Sequence, residues 1–477
     1  MVKKALLSLT SLGLFFSVLE FSARRVVASR GPVLLRDGIY VNTLPLVTGV
    51  APPSMRPLLD GARLPERKPP GEARIFVFGE SSVEGAPLDV NASPPTMLYD
   101  RLARAYPNRA IKVINMGMTA SICANTYYQL LYARRYEPDV LIFYMGMNDG
   151  GGHMPGEQSW PVTRPLFHRF WRGLMERSQL FWCAKVYGPP FLWSLRSRSP
   201  NRDLTQERGT GDPFPEWADL LVRIAASTGA KVIVTTPVRS AVSEIEPAIH
   251  SVAAAPDDSV PMRDDYRRLL ACRLTDACDF IALFKEQATG GEDPPLDRHL
   301  RKADAKAEAW KSAADRYGAE LIDFHSALED LSPHRVVADR YFADEIHLTP
   351  EGYGFLARLW FEHISGSWDG RKPRAPSPPV YDDVKEYYKA AKNNGMAVFM
   401  MYLARGWYLT AVPGLEMVAQ HCPGGERDGL ADVSLGWLRQ RAGLPAGGSR
   451  EFAKKVKAFN PKREFAGKVK GFRSLAR

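Results

Sequence analysis

Five residues between positions 81 and 347 are of the types that acyl transfer requires. Ser81 follows the apolar run Ile75-Phe76-Val77-Phe78-Gly79, and Gly117 follows Val113-Ile114-Asn115. Asn148 follows Phe143-Tyr144-Met145-Gly146, and Asp344 stands three residues before His347. A serine hydroxyl is a weak nucleophile until an imidazole takes its proton. The imidazole in turn needs a carboxylate to hold one tautomer, and the Asp344–His347 spacing is short enough for that contact. The oxyanion formed on attack needs donors aimed at it: the backbone N–H groups of Ser81 and Gly117 and the side-chain amide of Asn148 are candidates. Gly117 has no side chain to block such an approach.

Those residues can meet only if the chain between them forms a sheet with its strand ends aligned. Strand character is read at 73–79, 111–115, 139–145, 230–236 and 319–324. Helical spacing lies between, at Ile122, Thr126 and Leu130 and again at Tyr353, Leu356, Trp360 and Ile364. Thr349 is suited to cap the latter helix, with Pro350 at its first position. Alternating strands and helices predict a parallel sheet covered on both faces. All strand C-termini then share one edge, where Ser81, Gly117, Asn148, Asp344 and His347 converge.

The ordered set resembles the four blocks of the SGNH (GDSL-like) hydrolase family. Gly79-Glu80-Ser81 with Glu84-Gly85 is similar to the first block and Gly117 to the second. Gly146-Met147-Asn148-Asp149 is similar to the third and Asp344-Glu345-Ile346-His347 to the last. The resemblance covers roughly residues 73–150 and 215–365. It implies an α/β fold, three-layer α/β/α with a five-stranded parallel sheet, and esterase chemistry. Ser81 would be the nucleophile, His347 the base and Asp344 its orienter. Two departures flank the nucleophile: Glu80 where the family usually has Asp, and Ser82 where Leu is common. They bear on substrate more than on activity. The Gly-x-Ser-x-Gly elbow of α/β-hydrolases is absent, because position 83 is Val. His153, His168, His325 and Glu345 are read as structural.

Composition narrows the alternatives. The net charge of +10 is concentrated in residues 450–477, where ten Lys or Arg face two Glu. No basic surface of the body is therefore implied, and no nucleic-acid partner is expected. The five cysteines show no metal-ligand spacing, and neither metal nor cofactor is expected. Cys272 and Cys278 could be bridged in an oxidising compartment or stay as small buried side chains.

Lys3-Lys4 precede a charge-free run from Ala5 to Leu19, which predicts a signal anchor over residues 1–28 that exports the rest. A proline-rich linker follows at 29–72, then the catalytic domain at 73–365 with insertions at about 151–213 and 241–300. The first insertion is rich in large aromatics, Trp160, Trp171 and Trp182 among them, and could cover Ser81 as a lid or wall, form a small satellite core or pack on the membrane. A linker at 366–380, a helical segment at 381–445 and a basic tail at 446–477 complete the chain. Apolar residues recur in the tail as in an interfacial segment. The expected function is an exported, membrane-anchored serine esterase acting on an O-acyl ester of a cell-envelope glycan or lipid. The alternatives are an O-acyltransferase using the same site and a non-catalytic binding or assembly component.

Overall fold

A computed structural model describes residues 14–23, 32–36, 38–41, 62–119, 121–149, 165–178, 180–181, 183, 213–249, 262–275, 278–289, 295–337, 341–369, 387, 395–421 and 428–464. Seven strands make one sheet: β1 (Val33–Arg36), β2 (Ile39–Val41), β3 (Glu72–Gly79), β4 (Ala110–Asn115), β5 (Val140–Tyr144), β6 (Lys231–Thr235) and β7 (Glu320–Ile322). Their order is β1-β2-β4-β3-β5-β6-β7. β3 to β7 are parallel and coincide, within a few residues, with the five strands read from the sequence.

The sheet is nevertheless larger than expected. β2 pairs in parallel with β4, and β1 closes antiparallel on β2. Both come from the segment expected to be a proline-rich linker. Its proline-free stretch between Pro32 and Pro45 carries enough apolar residues to cover the open edge of β4.

The sheet is buried on both faces because its apolar runs alternate sides. Ile75, Val77 and Ile142 face one core, and Phe76, Phe78 and Phe143 the other. The helices Cys123–Ala133, Phe214–Ala226 and Pro295–Tyr317 cover the second face. The helices Pro94–Ala105 and Pro350–Asp369 cover the first.

The C-terminal helices Gly395–Arg405, Tyr408–His421 and Asp428–Arg441 share that first core through Phe399, Leu409, Val412 and Leu438. Their platform is the second insertion. Buried Glu246 accepts from the Leu409 and Thr410 N–H groups (both 2.8 Å) and from the Thr410 and Tyr266 hydroxyls. Arg273 reaches Glu416 at 2.6 Å, and Cys272 and Cys278 form a disulfide. The first part of the basic tail is the helix Arg450–Ala458. It buries Val456, and Phe459 just beyond it meets the Trp437 ring edge-on at 5.9 Å. Those apolar residues therefore pack on the protein, and residues 465–477 lie outside the described residues.

Among the described residues no helix is long and apolar enough to cross a membrane. Residues 1–13 of the expected anchor lie outside them. Trp160 and Trp182 of the aromatic insertion also lie outside, as does His153. The described helix of that insertion, Pro165–Arg177, packs on the flank of Phe214–Ala226, where His168 meets Trp217 edge-on at 5.3 Å. That helix is therefore part of the wall on the second face of the sheet.

Candidate active site

β3 lies between β4 and β5, so consecutive connections leave it toward opposite sides and open a crevice at its C-terminal end. Ser81 begins a one-turn helix, Ser81–Glu84, directly after β3. As the first helical residue, its N–H has no acceptor within the helix.

His347 Nε2 lies 2.8 Å from Ser81 Oγ, and its Nδ1 lies 2.7 Å from Asp344 Oδ2. The other Asp344 oxygen accepts from the Ile346 N–H (3.0 Å) and the His347 N–H (2.9 Å). A three-residue spacing therefore folds into a tight turn, closed by Ala343 N–H donating to His347 O at 2.8 Å. With Nδ1–H donated to the carboxylate, Nε2 is left to accept the serine proton. Burial pushes the imidazole pKa down, but the Asp344 carboxylate, with Glu345 and Glu80 farther off, outweighs burial and leaves it raised.

The oxyanion donors divide. The Asn148 amide donates one hydrogen to Ser121 O at 2.9 Å, which fixes the side chain and leaves its second amide hydrogen. The Gly117 N–H is already committed, donating to Asn115 Oδ1 at 2.8 Å. To act as the third oxyanion donor, the Gly117 N–H would have to share or release this bond. The reason for a glycine there is close packing: a Cβ would lie 2.2 Å from Glu84 N and 2.5 Å from Val83 C. Gly117 thus lets the nucleophile helix sit against the loop after β4.

The two residues that depart from the family pattern are braces. Ser82 Oγ donates to Ile346 O at 2.9 Å, tying the nucleophile helix to the Asp344–His347 turn. Buried Glu80 accepts the N–H groups of Gly146 and Asn148, both at 3.0 Å, through a single oxygen. The longer Glu side chain therefore reaches across to the loop after β5, where Gly146 adopts φ +115°.

Three supporting residues gave no sequence signal. Arg239 pairs with Glu345 and also donates to Met147 O, joining the last block to the third. Lys306, from the long helix Pro295–Tyr317, donates to Gly146 O and Asp149 O. Thr119 donates its N–H and hydroxyl to Glu84. His168 is buried, consistent with a structural role, and burial with Arg172 nearby pushes its pKa down to about 4.

Glu80 leads to a pH prediction. Burial, with Asp149 nearby, pushes its carboxyl up to about 7 against the pull of the Asn148 and Gly146 amides and Lys306. Its second oxygen is buried without a hydrogen-bond partner among the described residues, so a proton there costs no existing bond. A raised native pKa means the native state holds this proton more tightly than the unfolded chain does. Its stabilising effect is full below the ordinary value of 4.5 and is lost as pH rises to about 7. Glu80→Gln imitates the protonated form and keeps one acceptor oxygen. Relative to wild type, the variant should gain stability as pH rises from 4.5 through about 7 and keep that gain at pH 8. Urea denaturation at pH 4.5, 6 and 8 would measure this, and parallel pH slopes for the two proteins would contradict it.

A family model described as the GDSL-like lipase/acylhydrolase family matches residues 77–355. Among solved structures, a lipase/acylhydrolase from Enterococcus faecalis is 17% identical with a TM-score of 0.32, covering 64% of this chain and 99% of that one. An acetyl xylan esterase from Geobacillus stearothermophilus is 14% identical with a TM-score of 0.34, covering 62% of this chain and 94% of that one. Among curated proteins none matches.

Proposed function

We infer the reaction from one premise: this chain belongs to the GDSL-like lipase/acylhydrolase family and is a serine ester hydrolase. The observation that carries the mechanism is the continuous series from Ser81 Oγ through His347 to Asp344. Ser81 Oγ attacks the ester carbonyl carbon while its proton passes to His347 Nε2. The Ser81 N–H and the free Asn148 amide hydrogen stabilise the oxyanion. Collapse breaks the ester C–O bond, and His347 returns the proton to the leaving alcohol. Water, deprotonated by His347, then attacks the acyl-Ser81 carbonyl and releases the acid.

The substrate in this reading is an O-acyl ester, O-acetyl in the first place, on a glycan or lipid of the cell envelope. The catalytic domain stands outside the cytoplasm, held by the N-terminal segment. Support comes from Lys3-Lys4 ahead of a charge-free run and from Cys272 and Cys278, whose Cα atoms lie 5.5 Å apart, the separation of a disulfide of the kind that persists in oxidising compartments.

One experiment tests chemistry and location together. A membrane-impermeant fluorophosphonate applied to spheroplasts should add one label per chain, at Ser81, with none in Ser81→Ala. Labelling only after lysis would remove the export reading. Failure to label a folded protein in either condition would remove the serine nucleophile.

A further inference from the structure

The helices Pro165–Arg177, Phe214–Ala226 and Pro295–Tyr317 border an open cleft of about 460 Å³. Four arginines line it, Arg169, Arg172, Arg223 and Arg316, against two acids, Glu216 and Asp219. Asp219 is already engaged by Arg316 and by the Tyr317 hydroxyl at 3.0 Å. Arg172 Nε lies 3.4 Å from Glu176 without a hydrogen bond. Arg223 Nη2 is buried with no hydrogen-bond partner among the described residues. A buried guanidinium N–H left unpaired is costly, and the excess of positive charge compounds that cost. A planar donor fork of this kind matches the oxygens of a phosphate, which can accept from several arginines at once.

The surroundings of the cleft indicate the source of that phosphate. Among the described residues, the exposed large hydrophobic side chains are confined to two segments. Helix Pro165–Arg177 turns Leu166, Phe167 and Phe170 outward, the first of these 75% exposed. Residues 14–23 turn out Leu14, Phe15, Phe16, Val18 and Phe21. The segments are joined where Glu20 accepts from Ser178 Oγ (2.6 Å) and the Leu180 N–H (2.9 Å). Exposed aromatic and aliphatic side chains on the same helix that supplies Arg169 and Arg172 to the cleft are complementary to the acyl boundary and headgroups of an anionic bilayer. A water-soluble phosphate would have no use for the apolar part, and an apolar protein partner none for the arginines.

We propose that this cleft binds the phosphate of an anionic lipid headgroup while the apolar side chains of Pro165–Arg177 and residues 14–23 lie in the membrane surface. The site would hold the protein in a set orientation on the bilayer. It does not depend on the chemistry at Ser81.

The test uses the full chain in neutral detergent, titrated calorimetrically with short-chain probes. Dihexanoylphosphatidylglycerol should bind at least about tenfold more tightly than dihexanoylphosphatidylcholine or glycerol phosphate. Arg223→Gln and Arg172→Gln should each weaken that binding about tenfold, the loss of one charge-assisted hydrogen bond. Retained fluorophosphonate labelling of Ser81 in each variant certifies its fold. No binding of any phosphate probe, or binding untouched by both substitutions, overturns the site. Glycerol phosphate binding as tightly as the lipid overturns the membrane assignment. Self-association through the apolar side chains with no response to lipid overturns it as well.

Discussion

Replacing Ser81 with Ala is expected to lower kcat for an activated acyl ester by about 10⁵- to 10⁶-fold, and Asp344→Asn by about 10⁴-fold, in a protein that remains folded. Ser81 Oγ is the only atom of the series that forms a bond to the acyl group, so its loss leaves only binding and the oxyanion donors. Asp344 acts through His347. Its Oδ2 accepts the Nδ1–H at 2.7 Å, and an amide there can present its NH₂ instead, which favours the tautomer with Nε2 protonated. That tautomer cannot accept from Ser81. Asp344 Oδ1 also accepts two backbone N–H groups, and the Asn side-chain oxygen can keep those bonds and the turn. The pH profile separates tautomer loss from collapse of the loop. Acylation needs neutral imidazole, so wild-type kcat/KM should rise with pH through a midpoint above the ordinary histidine value of 6.5. In Asp344→Asn the midpoint should move down, because the charge that raises it is gone. A folded Asp344→Asn enzyme with near-normal kcat would end the assignment of roles at this site.

Asn148→Ala is expected to lower kcat by about 10²- to 10³-fold with little change in KM. The amide hydrogen not held by Ser121 O acts on charge that exists only as the tetrahedral intermediate forms, so the ground state barely registers its removal. The effect should be large because the Gly117 N–H already donates to Asn115 Oδ1 and the Asn148 amide hydrogen has no such competing bond. Fluorophosphonate labelling of Ser81 should be slowed in the variant but remain stoichiometric. A loss in KM instead of kcat would make Asn148 a substrate-binding residue, and a change under threefold would remove it from the reaction.

Several parts of the molecule answered to local signals. The continuous apolar runs of β3 and β5, and the run of β4 broken only by Lys112, mark buried strands, and their alternate residues do divide between the two cores. The Asp344–His347 spacing carried its own geometry, because a turn of that length closes through its own backbone. Other parts answered to no local signal. β1 and β2 were hidden among prolines, since the composition of a segment does not say whether a sheet edge is waiting for it. The second insertion, at about 241–300, was read only by its bounds, whereas Tyr266, Leu269 and Phe284 bury into the core that receives the C-terminal helices. The long helix Pro295–Tyr317 supplies Lys306 to the loop after β5, although nothing in its charged repeat distinguishes that lysine from its neighbours.

By itself the sequence determined the order of the blocks, the parallel alternation and the residue types brought to one sheet edge. Each of these depends on short-range periodicity or on the identity of a single residue. Only the tertiary structure decided which groups were left free to act. It committed the Gly117 N–H to Asn115, made Glu80 and Ser82 braces between loops, and drew Arg239 and Lys306 to carbonyls of the loop after β5. A hydrogen bond is made or lost within a few tenths of an ångström between residues far apart in the chain. Spacing along a sequence cannot carry that information, because the distance is set by the packing of every element between the two partners.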